Sequence, residues 1–109
     1  MSAVIAYVTT ESVEQAERIG QALVAERLAA CANILPGMRS IYRWQGAVET
    51  AGETVLIAKT RETLAQALIN RVRELHTYEV PCIVVLPIIA GLPAFLRWID
   101  DETSAPQPQ

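Results

Sequence analysis

A chain of 109 residues with a formal charge of −3 is sized for one domain and lacks the positive field that a nucleic-acid backbone requires. Its bases are scattered, with Arg39, Arg43, Lys59, Arg61, Arg71 and Arg73 interrupted by acids, which argues against nucleic acid as a partner. No apolar run approaches the roughly 18 residues of a membrane-spanning helix, so no membrane partner is expected.

Ala3 to Val8 is a short apolar run rich in Val, Ile and Tyr, which suits an interior strand. Ser12 and Gln15 have capping-box spacing, and Val13, Ala16, Gly20, Leu23, Val24 and Leu28 recur at helical intervals, predicting a helix that reaches about Ala29. Cys31 to Leu35 starts a strand, Pro36-Gly37 is a bend or bulge, and Arg39 to Trp44 resumes it. Gln45-Gly46 turns the chain, and Ala47 to Thr60 returns as the second strand of an antiparallel hairpin.

Thr63 and Gln66 repeat the capping-box spacing ahead of a second helical stripe through Leu64, Ala67, Leu68, Val72 and Leu75. That helix should stop near His76, because Val80-Pro81 imposes an extended backbone. Cys82 to Leu86 is again continuously apolar and fits a central strand. A short terminal helix follows around Leu92 to Ile99, with Pro93 in its first turn. Residues 1–102 form a single domain, and 103–109 read as a mobile polar tail.

The order strand, helix, strand, strand, helix, strand is the split βαβ arrangement of an α+β, ferredoxin-like fold. Right-handed crossovers put both long helices on one face of the sheet. One short terminal helix cannot cover the other face. With 51% apolar and only 19% charged residues, the simplest cover is another copy of the chain. Two distant cysteines do not read as a disulfide scaffold, and Met1-Ser2-Ala3 lacks the basic segment of an export signal, so a cytoplasmic setting is expected.

The residues that could carry chemistry are few. His76, Glu79 and Cys82 put an imidazole, a carboxylate and a thiol on one short loop, a ligand mix suited to copper or zinc. Cys31 is a further candidate soft ligand. The bland readings are that His76 caps the end of its helix and that both cysteines pack as small hydrophobes. The spacing matches no closed zinc motif, so such a site needs water or ligands from a second copy. Glu49 and Glu53 read as solvated charge. Tyr42, Trp44, Tyr78 and Trp98, with Phe95, read as aromatics at a subunit boundary or cleft, in preference to a ligand-binding cage. No phosphate-cradling glycine loop is present, and Ser12 and Ser40 have no neighbouring base, so an enzyme is not expected and no organic cofactor is predicted.

Several long fragments carry a resemblance. Arg27-Leu28-Ala29-Ala30-Cys31-Ala32-Asn33, Ser40-Ile41-Tyr42-Arg43-Trp44-Gln45-Gly46 and Leu75-His76-Thr77-Tyr78-Glu79-Val80-Pro81 match motifs of the CutA-type divalent-cation tolerance proteins. Leu86-Pro87-Ile88 and Phe95-Leu96-Arg97-Trp98-Ile99 fit as well, so the chain resembles that family from Val4 to Ile99. The resemblance implies a stable homotrimer of ferredoxin-like subunits whose hairpin strands pair between copies. It implies a role in tolerance of copper and other divalent cations, with metal binding in some members, links to protein anchoring in eukaryotic relatives, and no enzymatic reaction.

The chain also departs from the family pattern. Thr77 stands where Pro is usual, and Cys82 where Glu often follows the Val-Pro pair. Val8 falls near a copper-linked cysteine of some bacterial members, and Leu75 with His76 replaces a histidine pair. The leading expectation is therefore a non-enzymatic trimer that binds Cu(II) or another divalent cation through His76, Cys82 and Glu79, with Cys31 in reserve. The alternative is a small-molecule, signalling or anchoring module that uses clefts between subunits.

Overall fold

The computed structural model describes residues 2–104, in the order β1 (Ala3–Thr10), α1 (Val13–Ala25), β2 (Cys31–Trp44), β3 (Ala47–Arg61), α2 (Ala65–Leu75), β4 (Ile83–Pro87) and α3 (Pro93–Thr103). The four strands form one antiparallel sheet in the order β2-β3-β1-β4, as the ferredoxin-like reading requires. β4 is an edge strand of the chain, not the central strand expected from its apolar run. The run is continuous because Ile83 and Val85 pack on the helix-side core while Val84 and Leu86 point to the opposite face.

Local chemistry fixes the element ends. Ser12 caps α1, its hydroxyl accepting from the Gln15 N–H at 3.1 Å. Gln15 reaches back to the Glu11 N–H instead of to Ser12 itself. The helix stops at Ala25, short of the expected Ala29. Arg27 takes a left-handed φ of 59°, and the Leu28 N–H bonds the Leu23 carbonyl, a Schellman closure with arginine where glycine is usual. The expected capping box at Thr63 does not form. β3 stays paired through Arg61, so Thr63 falls inside a 3-10 turn over Glu62–Leu64, and Gln66 bonds Asn70 on the helix surface. Gln45 and Gly46 both have positive φ, 49° and 84°, which is the type I′ geometry that matches strand twist. Pro36-Gly37 forms the bulge between Leu35 and Met38, with Gly37 at φ 82°.

The core lies between the sheet and the helices α1 and α2. Ala6 and Val8 of β1 and Leu56 and Ala58 of β3 meet Ile19, Leu23, Leu68 and Val72, all fully buried. Among the described residues, the opposite face is covered only at one end, where Ile99 of α3 packs with Ala3 and Ala30. Val84 (48% exposed) and Leu86 (50%) remain open there. Beyond Thr54, β2 and β3 leave the sheet as a two-stranded ribbon with Ile41 76% and Val48 63% exposed. The ribbon stretches the molecule to 53 × 29 × 22 Å.

The segment expected to be a tail begins differently. Thr103 ends α3, is buried, and accepts a hydrogen bond from Arg61 Nε at 3.0 Å. Ser104 caps the helix, its hydroxyl donating to the Asp100 carbonyl at 2.7 Å, and residues 105–109 lie outside the described residues.

Candidate functional site

Where β1 gives way to α1, the strand ends, the start of the ribbon and the loop after α2 enclose a cleft of about 710 Å³ on the helix-free face. Alternation places it. Tyr7 and Thr9 of β1 project to the face away from Ala6 and Val8, and the β3 register puts Glu53 on that same side. After the bulge, Met38, Tyr42 and Trp44 pair with positions of β3 that share this face. Tyr78, Glu79 and Cys82 close it from the loop.

His76 stands behind this wall. Its Nε2–H donates to the Thr9 carbonyl at 2.7 Å, and its Nδ1 accepts the Tyr78 N–H at 3.1 Å. Both ring nitrogens are thus engaged, in the neutral tautomer protonated at Nε2. His76 does act at the end of its helix, but the side chain ties α2 to β1 and does not cap the helix's own carbonyls. Its ring also packs on Tyr78 at 4.6 Å.

Tyr78 turns its hydroxyl inward and donates to Glu53 Oε2 at 2.9 Å. Burial, then the Glu53 carboxylate, pushes its pKa far above the ordinary phenol value. Cys82 is exposed at the mouth, yet partial burial of the thiol and the Glu53 charge raise its pKa too, with Thr9 opposing. Less of it is thiolate at neutral pH than of an ordinary cysteine. Behind the loop, Gln15 is buried and bonded through both its amide oxygen and its amide nitrogen. It accepts from Glu11 and donates from Nε2 to Thr77 Oγ1 at 2.8 Å, and Thr77 donates to Glu11.

The candidate ligands are divided by this arrangement. His76 and Cys82 flank Thr9, whose N–H bonds the Cys82 carbonyl, and Glu79 is nearby on the rim. Cys31 pairs with Lys59 at the far edge of the sheet, so it lies on the order of 20 Å from Cys82 by strand geometry. Its neighbour is the Lys59 ammonium, 3.9 Å from the sulfur. Among the described residues, no three His, Cys, Asp or Glu side chains converge as a metal site would require. The aromatics divide likewise. Tyr42, Trp44 and Tyr78 share the cleft with Tyr7, whereas Trp98 sits on α3 at the other end, 5.4 Å from Phe95.

Sequence reasoning missed Tyr7, Met38 and Glu53 as cleft residues. Glu53 read as solvated charge, although strand alternation with Val55 and Ile57 already put it on the Tyr7 face.

Fold and cleft together define a small α+β, ferredoxin-like domain with a cleft on its helix-free sheet face and, among the described residues, no cluster of three metal-ligating side chains. Residues 4–102 match the family described as CutA1 divalent ion tolerance protein, and the chain belongs to that family. It is similar to the divalent-cation tolerance protein CutA of Thermus thermophilus, 48% identical over 99 residues that cover 91% of this chain and 96% of that one. It is also 42% identical to the chloroplastic CutA 1 of Oryza sativa over 92% of this chain, and it spans only 56% of that relative's length and 55% of the Arabidopsis thaliana one. The crystal structure of CutA from Xylella fastidiosa superposes with a TM-score of 0.92 at 39% identity, covering 95% of this chain and all of that one. The Thermus thermophilus structure gives 0.91 at 46% identity, covering 94% and 99%.

Proposed function

We propose that the chain is a non-enzymatic, homotrimeric divalent-cation tolerance protein that takes up Cu(II) or another divalent ion at the mouth of its cleft. Tolerance rests on the family's description and on relatives named for it. The observation that carries the assembly is the uncovered sheet face together with a ribbon too thin to stand alone. An isolated two-stranded ribbon is marginal in water, and Ile41, Val48, Val84 and Leu86 would be costly to leave exposed.

Metal uptake has narrower support. Cys82 and Glu79 supply a thiol and a carboxylate at the rim, and His76 joins them only by giving up one of its two hydrogen bonds, from the Tyr78 N–H or to the Thr9 carbonyl. One chain therefore offers an incomplete donor set, and a second copy or water must complete it. Native mass spectrometry of reduced, metal-stripped protein titrated with Cu(II), Zn(II) and Mg(II) tests this reading. The expected result is a trimer carrying three copper or zinc ions, with uptake lost in Cys82→Ser. A trimer that stays bare through micromolar ion would refute metal uptake and leave the assembly standing. A second reading, an organic ligand in the cleft, is favoured by the aromatic lining itself.

A further inference from the structure

We propose that the cleft binds a small organic cation, a protonated amine or quaternary ammonium group, seated between the aromatic walls and Glu53. Three observations carry it. Tyr7, Tyr42, Trp44 and Tyr78 bring four electron-rich rings to one cavity, and the faces of such rings attract cations. Glu53 lies among them, half-buried, and none of the four ion pairs among the described residues uses it or Glu79. Its one strong contact is the Tyr78 hydroxyl on Oε2.

The local field has the matching sign. Burial first, and then the Glu53 carboxylate, raises the proton affinity of both Tyr78 and Cys82, and Glu11 adds to the effect on Tyr78. Among the described residues, Arg39 is the one base lining the cavity, set against Glu53 and Glu79. An anion would have to overcome both acids with that single partner. A hydrated metal ion would gain from the acids but not from a mostly apolar aromatic wall, which favours a cation with carbon around its charge. The size suits a group no larger than a drug-like ligand, since such sites span roughly 300–1,000 Å³.

The inference concerns the same cleft as the metal reading but does not rest on it. Calorimetric titration of the full chain in EDTA with benzylammonium, benzyl alcohol and benzoate separates charge from shape, because the ring is common to all three. Benzylammonium is expected to bind about tenfold or more tighter than benzyl alcohol, with benzoate weakest. Glu53→Gln, which keeps an acceptor for Tyr78, is expected to bring amine and alcohol within about threefold of one another. Trp44→Ala, at a position 40% exposed in the single chain, weakens the amine selectively. Equal affinities for the three probes, tighter benzoate, no binding up to about 10 mM, or an amine preference that survives Glu53→Gln would overturn the proposal. The mass of the same samples reports the trimer separately, so failure of the assembly and failure of this site are read on different axes.

Discussion

His76 is held by two hydrogen bonds that use both ring nitrogens, so its first role is to fasten the end of α2 to the end of β1. His76→Ala should therefore destabilise the fold by about 1–3 kcal/mol in urea unfolding, with or without metal, because the Thr9 carbonyl loses its donor. A metal test based on this residue alone would confuse folding with binding. Cys82, exposed at the cleft mouth, is the cleaner probe. Its raised pKa means that alkylation by iodoacetamide should reach half-maximal rate at higher pH than for a free cysteine. Glu53→Gln should move that midpoint down. The linkage has one sign for Cys82 and Tyr78. Each keeps its proton longer folded than unfolded, so each contributes stability below its ordinary pKa and loses it as pH rises beyond. Denaturant midpoints should fall from about pH 8.5 upward, and more steeply beyond about pH 10.

Elements were legible where pattern and local chemistry agreed. The Ser12 cap, the Gln45-Gly46 turn and the Pro36-Gly37 bulge all stand where the residues put them. Thr63-Gln66 failed because spacing cannot reveal that β3 remains paired through Arg61, which puts Thr63 inside the 3-10 turn and a helical Leu64, not an extended residue, ahead of α2. The helix end at Arg27 was hidden for a related reason, since the left-handed position there holds an arginine. The position of β4 was hidden because an edge strand that is apolar on both faces reads as a central one. Helix and sheet approach each other closely at Gly20, where an added Cβ would lie 3.2 Å from Ala32 Cβ and 3.4 Å from Leu56. Gly20→Val should cost about 1–3 kcal/mol by overpacking, visible as a lowered thermal midpoint. Leu56→Ala, in the middle of that contact, should cost about 2–5 kcal/mol.

At the scale of the molecule, the cleft was only partly legible. Tyr42, Trp44, Tyr78, Glu79 and Cys82 were singled out from sequence, and the structure puts them on one cavity. Tyr7 and Glu53 joined them through sheet register, and Cys31 and Trp98 were separated by it. Long-range pairing decides such neighbours, and one sequence does not print it. The same register leaves one sheet face and the ribbon uncovered in the single chain. Placing charge on that face by Val84→Asp with Leu86→Asp should break association while sparing the helix-side core, since both positions are half exposed in the subunit. Circular dichroism should then retain helix signal while the ribbon loses protection from hydrogen exchange.

The measurement that bears most directly on this account is the solution mass of the unmodified chain by light scattering across a range of concentrations. A single species at three times the 11.9 kDa of the chain, falling to one chain in the Val84→Asp, Leu86→Asp variant, is the expected result. A folded monomer at every concentration would contradict it, because the apolar face and the ribbon would then have to be stable in water with nothing to cover them.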